Sequence, residues 1–482
     1  MSYQTGKMTL TALDEIPKLH ARLTKSFNDG LTLPLSYRRN QLLQLAHLIQ
    51  DNAEAINDAI FADFGKPKLE VTLTETGPVV DNCIQAAESL TDWAAPEKPQ
   101  VNPLHAAWDP TVYKVPKGVV TIIGPWNFPY TLILLPLVGA IAAGCPCVIK
   151  PSEYSPHSSQ LLAELWPRYM DVNAYAVVNG TEVQTTRLLD LKWDHVFFTG
   201  SARVGKIVAT AAGKHLTSST LELGSKSPVV IDADNIDLKL AAKRILWGKQ
   251  LNGGQICISP DYVLIPRHKQ DEFIAALRDA YKSFFPGEAG GLDPQSQLSR
   301  ILTPAHHARL RAMLEGTRGS IVLGGKSEGT ARLDITVVKD VAIDDALMEE
   351  EIFGPILPIV PIDNITEAYK IIGARPVPLV IYVFTDREQF KDGFLEHTRS
   401  GQLVLNDTFF QLAVQEVPFG GLNDSGYGSY LGKHTFETFT HRRGYVNIPA
   451  AADEVLQIRY PPYSEQAYQL LSTRTLMKIP DA

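Results

Sequence analysis

Residues 118–150 read GVVTIIGPWNFPYTLILLPLVGAIAAGCPCVIK, with no charged side chain before Lys150. An apolar stretch of this length could cross a bilayer, but it contains many residues that interrupt helices. These are Pro125, Pro129, Pro136, Pro146, Gly118, Gly124, Gly139 and Gly144. The pattern instead predicts a strand over 119–123, a helix over 131–143 and a strand over 147–149. Wholly apolar elements in this order are typical of a buried parallel βαβ unit.

The alternation of strands and helices continues along the chain. Two helical stretches, 35–64 and 70–93, precede the βαβ unit, and a proline-rich extended segment spans 96–116. After the unit, strands are predicted at 174–178, 195–198, 228–231 and 262–265, helices at 202–213 and 239–248, and further α/β structure to about residue 406. Strands that alternate with helices predict an α/β fold, a doubly wound parallel sheet with helices on both faces.

Composition excludes several classes of protein. The 482 residues are 45% apolar and 20% charged, with a net charge of −8 and a mean hydropathy of −0.05. An acidic balance without basic runs makes a nucleic-acid partner unexpected. Residues 1–18 lack an apolar signal-peptide core and residues 459–482 are polar, so neither secretion nor a membrane anchor is expected.

The cysteines predict a reducing environment. Cys83, Cys145, Cys147 and Cys257 are too few for a disulfide framework in a chain of this length. One residue separates Cys145 from Cys147, whereas zinc and thioredoxin-type sites have two. We therefore expect no metal site and a cytoplasmic location.

The segment HVFFTGSARVGKIVATAAG at 195–213 predicts a strand, a turn and a helix. Gly200 ends the strand and Gly205 follows five positions later, so the backbone could approach a phosphate at the helix N-terminus. The first glycine pair of the dinucleotide fingerprint is missing. A glycine turn that serves geometry alone therefore stays an alternative.

Two side chains are candidates for a nucleophile and a base. Cys257 follows Gly253 and Gly254 in QLNGGQICISP, so its thiol can lie on a tight loop between a helix and a strand. Glu222 lies between two leucines, and apolar neighbours raise the pKa of a carboxyl towards neutrality. The alternatives are a buried structural cysteine and a turn-capping or surface glutamate.

The turn GPWNFPY at 124–130 places Asn127 between two prolines after a predicted parallel strand. Doubly wound sheets bind ligands at the carboxyl ends of their strands, and a fixed amide there can donate to a developing oxyanion. Lys150 and Glu153, at the end of the next strand, are expected to face the same crevice. For Lys150, a solvated strand end is the alternative.

Six motifs occur in a characteristic order, and the set is far more specific than any one motif. They are GPWNFP (124–129), VIKPSE (148–153), FFTGSARVG (197–205), LELGSKSP (221–228), NGGQIC (252–257) and EEIFGP (350–355). From about Tyr37 to Asn447, the chain resembles the aldehyde dehydrogenase superfamily. ISPDY after Cys257, RPVPLVIYVF at 375–384 and the segment 418–443 resemble its class 3 branch, which holds fatty and aromatic aldehyde dehydrogenases.

The resemblance implies a covalent oxidation of an aldehyde to a carboxylic acid. Cys257 would attack the aldehyde carbon, and the Asn127 amide and the Cys257 backbone N–H would hold the oxyanion of the thiohemiacetal. A hydride would then leave for NAD(P), and Glu222 would activate the water that hydrolyses the thioester.

The resemblance also implies a cofactor site. Glu351 and Phe353 match contacts to the nicotinamide ribose and ring, and Lys150 matches a contact to the adenosine ribose. Glu153 matches a carboxylate that can bond a 2′-hydroxyl and repel a 2′-phosphate, so NAD is favoured and NADP stays open. The expected contacts around the pyrophosphate turn and the adjoining strand end are Thr199, Gly200, Ser201, Val204, Gly205, Leu223 and Gly224.

The implied architecture has a Rossmann-like cofactor domain, an α/β catalytic domain and a small β bridging element. The expected bounds are 1–95 with 119–224 for cofactor binding, 225–408 for catalysis, 96–118 with 409–450 for bridging, and 451–482 for a tail. Class 3 relatives are typically homodimers whose bridging strands extend the partner's sheet. A homodimer is therefore expected here, through 96–116 and 438–447.

Aromatic side chains from three segments are expected to line the substrate tunnel: Tyr130, Trp247, Phe409 and Phe410. They bring no basic anchor for a carboxylate, so medium- to long-chain aliphatic or aromatic aldehydes are the expected substrates. Trp247 has an alternative role in a helix core. Ser225, Gln411 and Leu431 depart from the family pattern, the last two on the substrate side.

Two other classes of function are weighed against this one. A thiol hydrolase or acyltransferase would use Cys257 without redox chemistry, but the twelve histidines show no recognisable pairing with it. A non-catalytic protein on the same scaffold would be expected to lose Cys257 or Glu222, and both are present.

Overall fold

The computed structural model describes residues 8–481. Residues 1–7, on which the expected lack of a signal peptide partly depends, lie outside the described residues. Two compact units are present, one of residues 8–93 and 116–440 and one of residues 94–115 and 441–481. The finer predicted bounds of cofactor, catalytic, bridging and tail segments stay a prediction.

The helices and strands have the following bounds. The helices are α1 (Glu15–Asn28), α2 (Leu35–Asp51), α3 (Ala53–Phe64), α4 (Lys68–Val71), α5 (Gly77–Ala94), α6 (Pro103–Ala106), α7 (Thr131–Ala143), α8 (Pro156–Tyr169), α9 (Glu182–Leu189), α10 (Ala202–Lys214), α11 (Leu238–Gln250), α12 (Gln270–Phe284), α13 (Pro304–Gly316), α14 (Ala346–Glu349), α15 (Ile365–Gly373), α16 (Glu388–His397), α17 (Lys433–Thr438), α18 (Asp453–Leu456) and α19 (Glu465–Ser472). The strands are β1 (Thr111–Pro116), β2 (Val120–Ile123), β3 (Cys147–Lys150), β4 (Tyr175–Val177), β5 (His195–Gly200), β6 (Ser218–Leu223), β7 (Pro228–Ile231), β8 (Tyr262–Pro266), β9 (Ser320–Leu323), β10 (Ser327–Glu328), β11 (Arg332–Leu333), β12 (Thr336–Lys339), β13 (Ile356–Ile362), β14 (Val380–Phe384), β15 (Gln402–Leu405), β16 (Gly426–Tyr427) and β17 (Thr440–Tyr445).

The predicted βαβ unit is confirmed as β2, α7 and β3. These strands lie in a six-stranded sheet with the order β16-β6-β5-β2-β3-β4. Strands β2 to β6 run parallel, and the antiparallel strand β16 closes one edge. All side chains of β2 and β3 are buried, as expected for strands covered on both faces. The carboxyl ends of β2, β5 and β6 therefore share one edge of the sheet.

A second sheet has seven strands in the order β15-β14-β7-β8-β13-β12-β9. All of its strand pairs are parallel except β9 with β12. Aliphatic side chains of this sheet pack against α13, α14 and α15 in one hydrophobic core. Two parallel sheets covered by helices confirm the predicted α/β class.

The N-terminal helices differ from their predicted bounds. The expected helix over 35–64 is two helices, because Asn52 leaves helical backbone (φ −120°, ψ 20°) and its side chain donates to Leu48 O at 2.8 Å. The expected helix over 70–93 begins at Lys68 and contains a π-helical turn, Thr72–Thr76, between α4 and α5. A π-turn closes i→i+5 hydrogen bonds and often occurs at functional sites.

Strand β6 is absent from the sequence prediction because its first residues, Ser218, Ser219 and Thr220, are polar. It pairs in parallel with β5, which sets Glu222 opposite Thr199. The candidate base therefore lies in a buried strand rather than in a turn.

In the smaller unit, β1 and β17 form a two-stranded sheet. Glu97 binds Lys114 Nζ at 3.0 Å and Arg442 Nη1 at 3.1 Å, and these contacts link the strands to the segment before β1. Several apolar side chains of this unit are exposed, among them Tyr445, Val446 and Ile448. Within residues 8–481, no helix combines the length and the apolar character that crossing a membrane requires.

Candidate active site

Glu222 lies at the carboxyl end of β6 with 3% of its surface exposed. No hydrogen bond of normal geometry reaches either carboxylate oxygen from the described residues, although the backbone N–H of Gly421 lies close enough to oppose the effect of burial on its pKa. Burial raises the pKa of this carboxyl well above its ordinary value. A carboxylate with a raised pKa can take up a proton near neutral pH, as a general base must.

Asn127 follows β2 and is buried, with its side chain pointing at the cysteine loop. Its Nδ2 donates to Gln255 O at 3.1 Å. Its backbone oxygen accepts from Asn252 Nδ2 at 3.0 Å and from Lys66 Nζ at 3.3 Å. One amide hydrogen is thus used to fix the side-chain plane, and the other stays available for a ligand oxygen.

Cys257 follows a tight turn after α11. Asn252, Gly253 and Gly254 have positive φ values of 51°, 61° and 72°. A Cβ at Gly254 would lie 2.3 Å from Gly354 O, so the loop passes too close to its neighbour for any larger residue. Cys257 is half-buried, whereas the other three cysteines are fully buried. Burial, and then the nearby carboxyls of Glu351 and Glu222, raise the pKa of the Cys257 thiol.

A buried ion pair holds the segment after Cys257. Lys226 Nζ donates to Asp261 Oδ2 at 2.6 Å and to the backbone oxygens of Leu347 and Glu350 at 2.7 and 2.9 Å. Asp261 Oδ1 in turn accepts from Ile352 N at 3.0 Å. The EEIFGP loop and the cysteine loop are therefore fixed to each other.

A cavity of about 720 Å³ lies where these loops meet the carboxyl edge of the first sheet. Ten of the residues predicted for the site line it: Asn127, Thr199, Gly200, Ser201, Glu222, Leu223, Gly224, Cys257, Glu351 and Phe353. The structure thus brings the three candidate catalytic residues and most of the candidate cofactor residues to one place.

The lining of this cavity fits a dinucleotide. Ser201 caps the N-terminus of α10, where free N–H groups favour an anion such as a pyrophosphate. Thr199 Oγ1 and Glu351 Oε1 are buried polar atoms without a partner among the described residues, as expected of groups that bond a ligand. A Cβ at Gly224 would lie 2.2 Å from Glu351 Oε2, so glycine is required beside that carboxylate. Burial raises the pKa of Glu351 to about 8.

Four predicted cofactor residues lie outside the described lining of this cavity. Lys150 Nζ binds Glu153 Oε2 at 2.7 Å, so the two predicted ribose contacts form a pair with each other. Val204 N donates to Ser201 Oγ at 3.4 Å. A Cβ at Gly205 would lie 2.6 Å from Leu223 Cδ2, so this glycine allows α10 to pack closely on β6.

A second cavity of about 370 Å³ lies on the other side of Cys257 and has a mostly apolar lining. Phe409 and Phe410 line it as predicted, together with residues that were not predicted, such as Phe128, Leu132 and Ile256. Cys257 and Leu132 line both cavities.

Two predicted pocket residues have different positions. Trp247 stacks on Phe410 at 5.3 Å between ring centroids, so it supports the cavity wall from behind. Tyr130 does not line the cavity; its ring is fully buried in the core and its hydroxyl donates to Ser158 O at 3.2 Å. Its neighbours Phe128 and Thr131 face the cavity instead.

The three departures from the family pattern are accommodated locally. Ser225 Oγ accepts from Leu379 N at 2.8 Å, so the hydroxyl has a buried partner. Leu431 lines the apolar cavity and adds to its hydrophobic surface. Gln411 Nε2 lies 3.4 Å from Tyr382 Oη, beside the cavity wall.

Several buried charged residues near the site were not predicted: Lys66, Glu70, Glu75, Lys226 and Lys249. Lys249 Nζ has no hydrogen-bond partner among the described residues, and burial lowers its pKa to about 8. Lysines and glutamates ordinarily face solvent, so the sequence pattern did not indicate that these side chains point inward.

Comparisons with known proteins agree with this geometry. The sequence model of the aldehyde dehydrogenase family matches residues 5–444. The chain is 40% identical over 457 residues to aldehyde dehydrogenase family 3 member B2 of Mus musculus, covering 94% of each protein. It is also 40% identical over 445 residues to family 3 member A2 of Rattus norvegicus, covering 92% of this chain and 91% of that protein.

Among solved structures, the substrate-bound state of Staphylococcus aureus AldH matches with a TM-score of 0.91 and 35% identity. The match covers 95% of this chain and 99% of that chain. The family model, the relatives and the fold therefore agree with one another. This chain belongs to the aldehyde dehydrogenase family, and its activity is the oxidation of aldehydes with NAD or NADP.

Proposed function

We propose that this enzyme oxidises medium- to long-chain aliphatic and aromatic aldehydes, with Cys257 as nucleophile, Asn127 as oxyanion donor and Glu222 as base. The observation that carries the proposal is the position of Cys257, which lines both the 720 Å³ cavity and the apolar 370 Å³ cavity. An aldehyde in the apolar cavity and a cofactor in the larger one would meet at this sulfur.

The first step joins the substrate to the protein. Cys257 Sγ bonds to the aldehyde carbon as its thiol proton passes to Glu222, directly or through water. The carbonyl oxygen becomes an alkoxide, which accepts hydrogen bonds from Asn127 Nδ2 and from the Cys257 backbone N–H. Because burial raises the pKa of the thiol, a base is needed to form the thiolate, and the raised pKa of Glu222 suits that task.

Residues of the larger cavity would hold the cofactor. Bound NAD(P) supplies the acceptor for the hydride that leaves the thiohemiacetal carbon. The buried Glu351 oxygen without a partner is suited to a ribose hydroxyl, and Phe353, held edge-to-face against Trp126 at 5.5 Å, supplies a rigid wall. Gly200 and Ser201, which directly precede α10, are the predicted contacts of the pyrophosphate, because free N–H groups at a helix N-terminus favour an anion.

The last step releases the acid. Once the proton from the thiol has passed from Glu222 to solvent, Glu222 takes a proton from water, the resulting hydroxide adds to the thioester carbon, and the Cys257 sulfur leaves as a thiolate while the carboxylic acid forms. No hydrogen bond of normal geometry from the described residues occupies the oxygens of Glu222, so this carboxylate has room to bind that water.

The substrate class follows from the lining of the smaller cavity. Its described residues include one ionisable carboxylate, Asp81, and no basic side chain. An anionic aldehyde would enter without a counter-ion and would be repelled by Asp81. Each methylene buried there contributes about 0.8 kcal/mol, so longer or aromatic aldehydes gain over short ones.

We also propose NAD as the preferred cofactor, a homodimer and a cytoplasmic location. The carboxylate of Glu153 would disfavour a 2′-phosphate, although its partner Lys150 offsets part of that charge. Four free cysteines suit a reducing compartment.

A thiol hydrolase is less well supported by the same residues. The histidine among the described lining of the larger cavity is His306, whose Nδ1 lies 2.8 Å from Thr303 Oγ1 and whose ring packs against Trp126. It is therefore engaged with other partners, and a cysteine hydrolase needs a histidine at its sulfur.

The test is NADH formation with a panel of aldehydes. We expect kcat/KM for octanal and benzaldehyde to exceed that for acetaldehyde by about tenfold or more, which needs only ~1.4 kcal/mol. We expect a low kcat/KM for succinic semialdehyde. In the Asp81→Asn variant, this kcat/KM should come closer to the value for octanal. A preference for acetaldehyde or succinic semialdehyde over octanal would refute the substrate class.

The nucleophile is tested with Cys257→Ser. We expect no aldehyde oxidation and nearly unchanged NAD binding by calorimetry, because the hydroxyl keeps the shape and loses the acidity of the thiol. The matched control is Cys83→Ser, a buried cysteine that lines neither of the two cavities, and this variant should keep its activity once folded. Turnover by the Cys257 variant would exclude this residue as nucleophile.

A further inference from the structure

Three charged side chains of one short segment, Lys66 to Glu75, point into the protein and end on the two catalytic loops. Lys66 Nζ binds Glu75 Oε1 at 2.8 Å, and both side chains are fully buried. Glu70, on the short helix α4, is also buried. Buried charges are costly unless they are paired or hydrogen-bonded, so their partners indicate what they stabilise.

The partners of the Lys66–Glu75 pair lie on the Asn127 loop. Lys66 Nζ donates to Asn127 O at 3.3 Å. Glu75 Oε2 accepts from the backbone N–H groups of Tyr130 and Thr131 at 3.2 and 3.1 Å. One ion pair thus holds the middle and the C-terminal end of the loop that carries the candidate oxyanion donor.

The partner of Glu70 lies on the cysteine loop. Glu70 Oε2 accepts from Asn252 N at 3.0 Å, at the strained turn that precedes Cys257. Asn252 Nδ2 then donates to Asn127 O at 3.0 Å and to Gln255 O at 3.3 Å. Asn252 therefore connects Glu70 to the Asn127 loop as well as to the cysteine loop.

We propose that Glu70 is a positioning residue for aldehyde oxidation, because its bond to Asn252 sets the distance between the Asn127 amide and Cys257. The proposal rests on the function proposed above, in which these two residues act on one carbonyl group. Glu70 touches neither substrate nor cofactor and acts through Asn252. The Lys66–Glu75 pair supplies the fixed base from which α4 reaches the turn.

A residue with this task affects the chemical step more than binding. A displacement of about 1 Å between reacting groups can lower a rate by up to a hundredfold. The apolar cavity that binds the aldehyde is formed by other side chains, so the affinity for substrate should change little. A residue needed only for folding would instead lower the amount or the melting temperature of the protein and leave the rate per folded molecule unchanged.

The experiment compares Glu70→Ala, Glu70→Gln and the unchanged enzyme with octanal and NAD. The single-turnover rate of NADH formation is expected to fall at least tenfold in Glu70→Ala, with KM for octanal within threefold of the original. Glu70→Gln keeps an oxygen that can accept from Asn252 N, and its rate should return to within threefold of the original. Glu54→Ala is the matched control, because Glu54 pairs with Lys68 of the same segment but is 77% exposed on its side chain.

Two outcomes would overturn the proposal: a Glu70→Ala rate within threefold of the original, or an equal loss in the Gln and Ala variants. If Glu70→Ala does not fold, Glu70→Asp gives the same test, since it keeps a carboxyl group and withdraws it from Asn252 N. An Asp variant with the original rate overturns the proposal as well. Cys257→Ser is measured in parallel, and activity in that variant would instead overturn the proposed function.

Discussion

Glu222 stores an unfavourable free energy in the unliganded protein. No hydrogen bond of normal geometry reaches either of its buried oxygens from the described residues, and one oxygen of Glu351 is in the same situation. Carboxylates that are satisfied within the protein would be poor bases, so the missing partners are what a water and a ribose would supply. Under the proposed function, the same atoms would lower the stability of the fold and act in catalysis.

The kinetic prediction concerns Glu222→Gln. The amide cannot take a proton from water, so hydrolysis of the thioester should slow more than hydride transfer. We expect a burst of NADH followed by a much slower steady rate in stopped-flow absorbance. Equal slowing of both phases, or of neither, would remove Glu222 from the role of hydrolytic base.

The same substitution should change how stability depends on pH. Burial raises the pKa of Glu222 in the folded state above 4.5, its ordinary value in the unfolded chain. At a pH between these two pKa values, the folded protein holds a proton that the unfolded chain has lost. Stability conferred by the protonated form is therefore lost as pH rises. In urea titrations without ligand, Glu222→Gln should be more stable than the original at pH 8.5, and this gain should shrink at pH 5. An equal difference at both pH values would contradict the raised pKa.

At the level of single residues, the sequence predicted which candidate catalytic residues lie together better than it predicted the residues around them. Cys257, Glu222 and Asn127 stand in motifs whose glycines and prolines dictate tight loops, and they meet at one cavity. Tyr130 was expected beside them, but a turn sequence does not reveal which of its neighbours faces the core. Glu70 was not identified, because its contact with Asn252 joins residues 182 positions apart.

At the level of elements, the short strand β16 controls the position of Glu222. Gly426 pairs with Glu222 and has a φ of 123°, a backbone angle that residues with a side chain rarely adopt. A Cβ there would lie 1.9 Å from Leu221 O. The strand can pair with β6 only with glycine at this position.

Gly426→Ala is therefore expected to separate β16 from β6 and to lose more than about 2 kcal/mol of unfolding free energy, with most of the activity. Gly213→Ala is the matched control, because a Cβ there meets nothing within 4 Å and alanine favours a helix. Denaturation curves of both variants check the prediction. A Gly426 variant as stable and active as the control would show that the clash is relieved by backbone movement.

The elements themselves were predicted where their pattern was simple. The helix Thr131–Ala143 and the strand Pro228–Ile231 have the bounds expected from the sequence, since apolar runs between glycines and prolines allow little else. The π-turn at Thr72–Thr76 and the polar start of β6 have no such pattern, because tertiary packing decides their conformation.

At the level of the whole chain, the larger cavity is bordered by the carboxyl ends of strands in the first sheet and by the amino ends of strands in the second sheet. Asn127, Thr199 and Glu222 follow or end strands of the first sheet, whereas the loops of Cys257 and Glu351 precede strands of the second. Carboxyl ends suit phosphate binding beside helix N-termini. The amino ends of the second sheet supply the loop that carries the thiol.

Assembly is predicted at the same scale. Exposed apolar side chains and an open two-stranded sheet in the smaller unit favour pairing with a second copy. Light scattering at micromolar concentration should give twice 53.1 kDa. Val446→Asp, just after β17, should shift the mass towards the monomer, whereas Leu216→Asp, which is 95% exposed in the larger unit, should not. A monomeric original protein would count against the homodimer.

The different burial of the four cysteines has a practical consequence. Cys83, Cys145 and Cys147 are sealed in the core, so a reagent in solution does not reach their sulfur atoms. Cys257 alone borders two cavities that small reagents can enter. A native preparation should therefore take up one equivalent of an alkylating reagent per chain. The added mass, measured by mass spectrometry, would give the fraction of molecules whose Cys257 thiol is free to react. Molecules with an oxidised Cys257 would stay unlabelled, so the specific activity of a preparation can be divided by its labelled fraction.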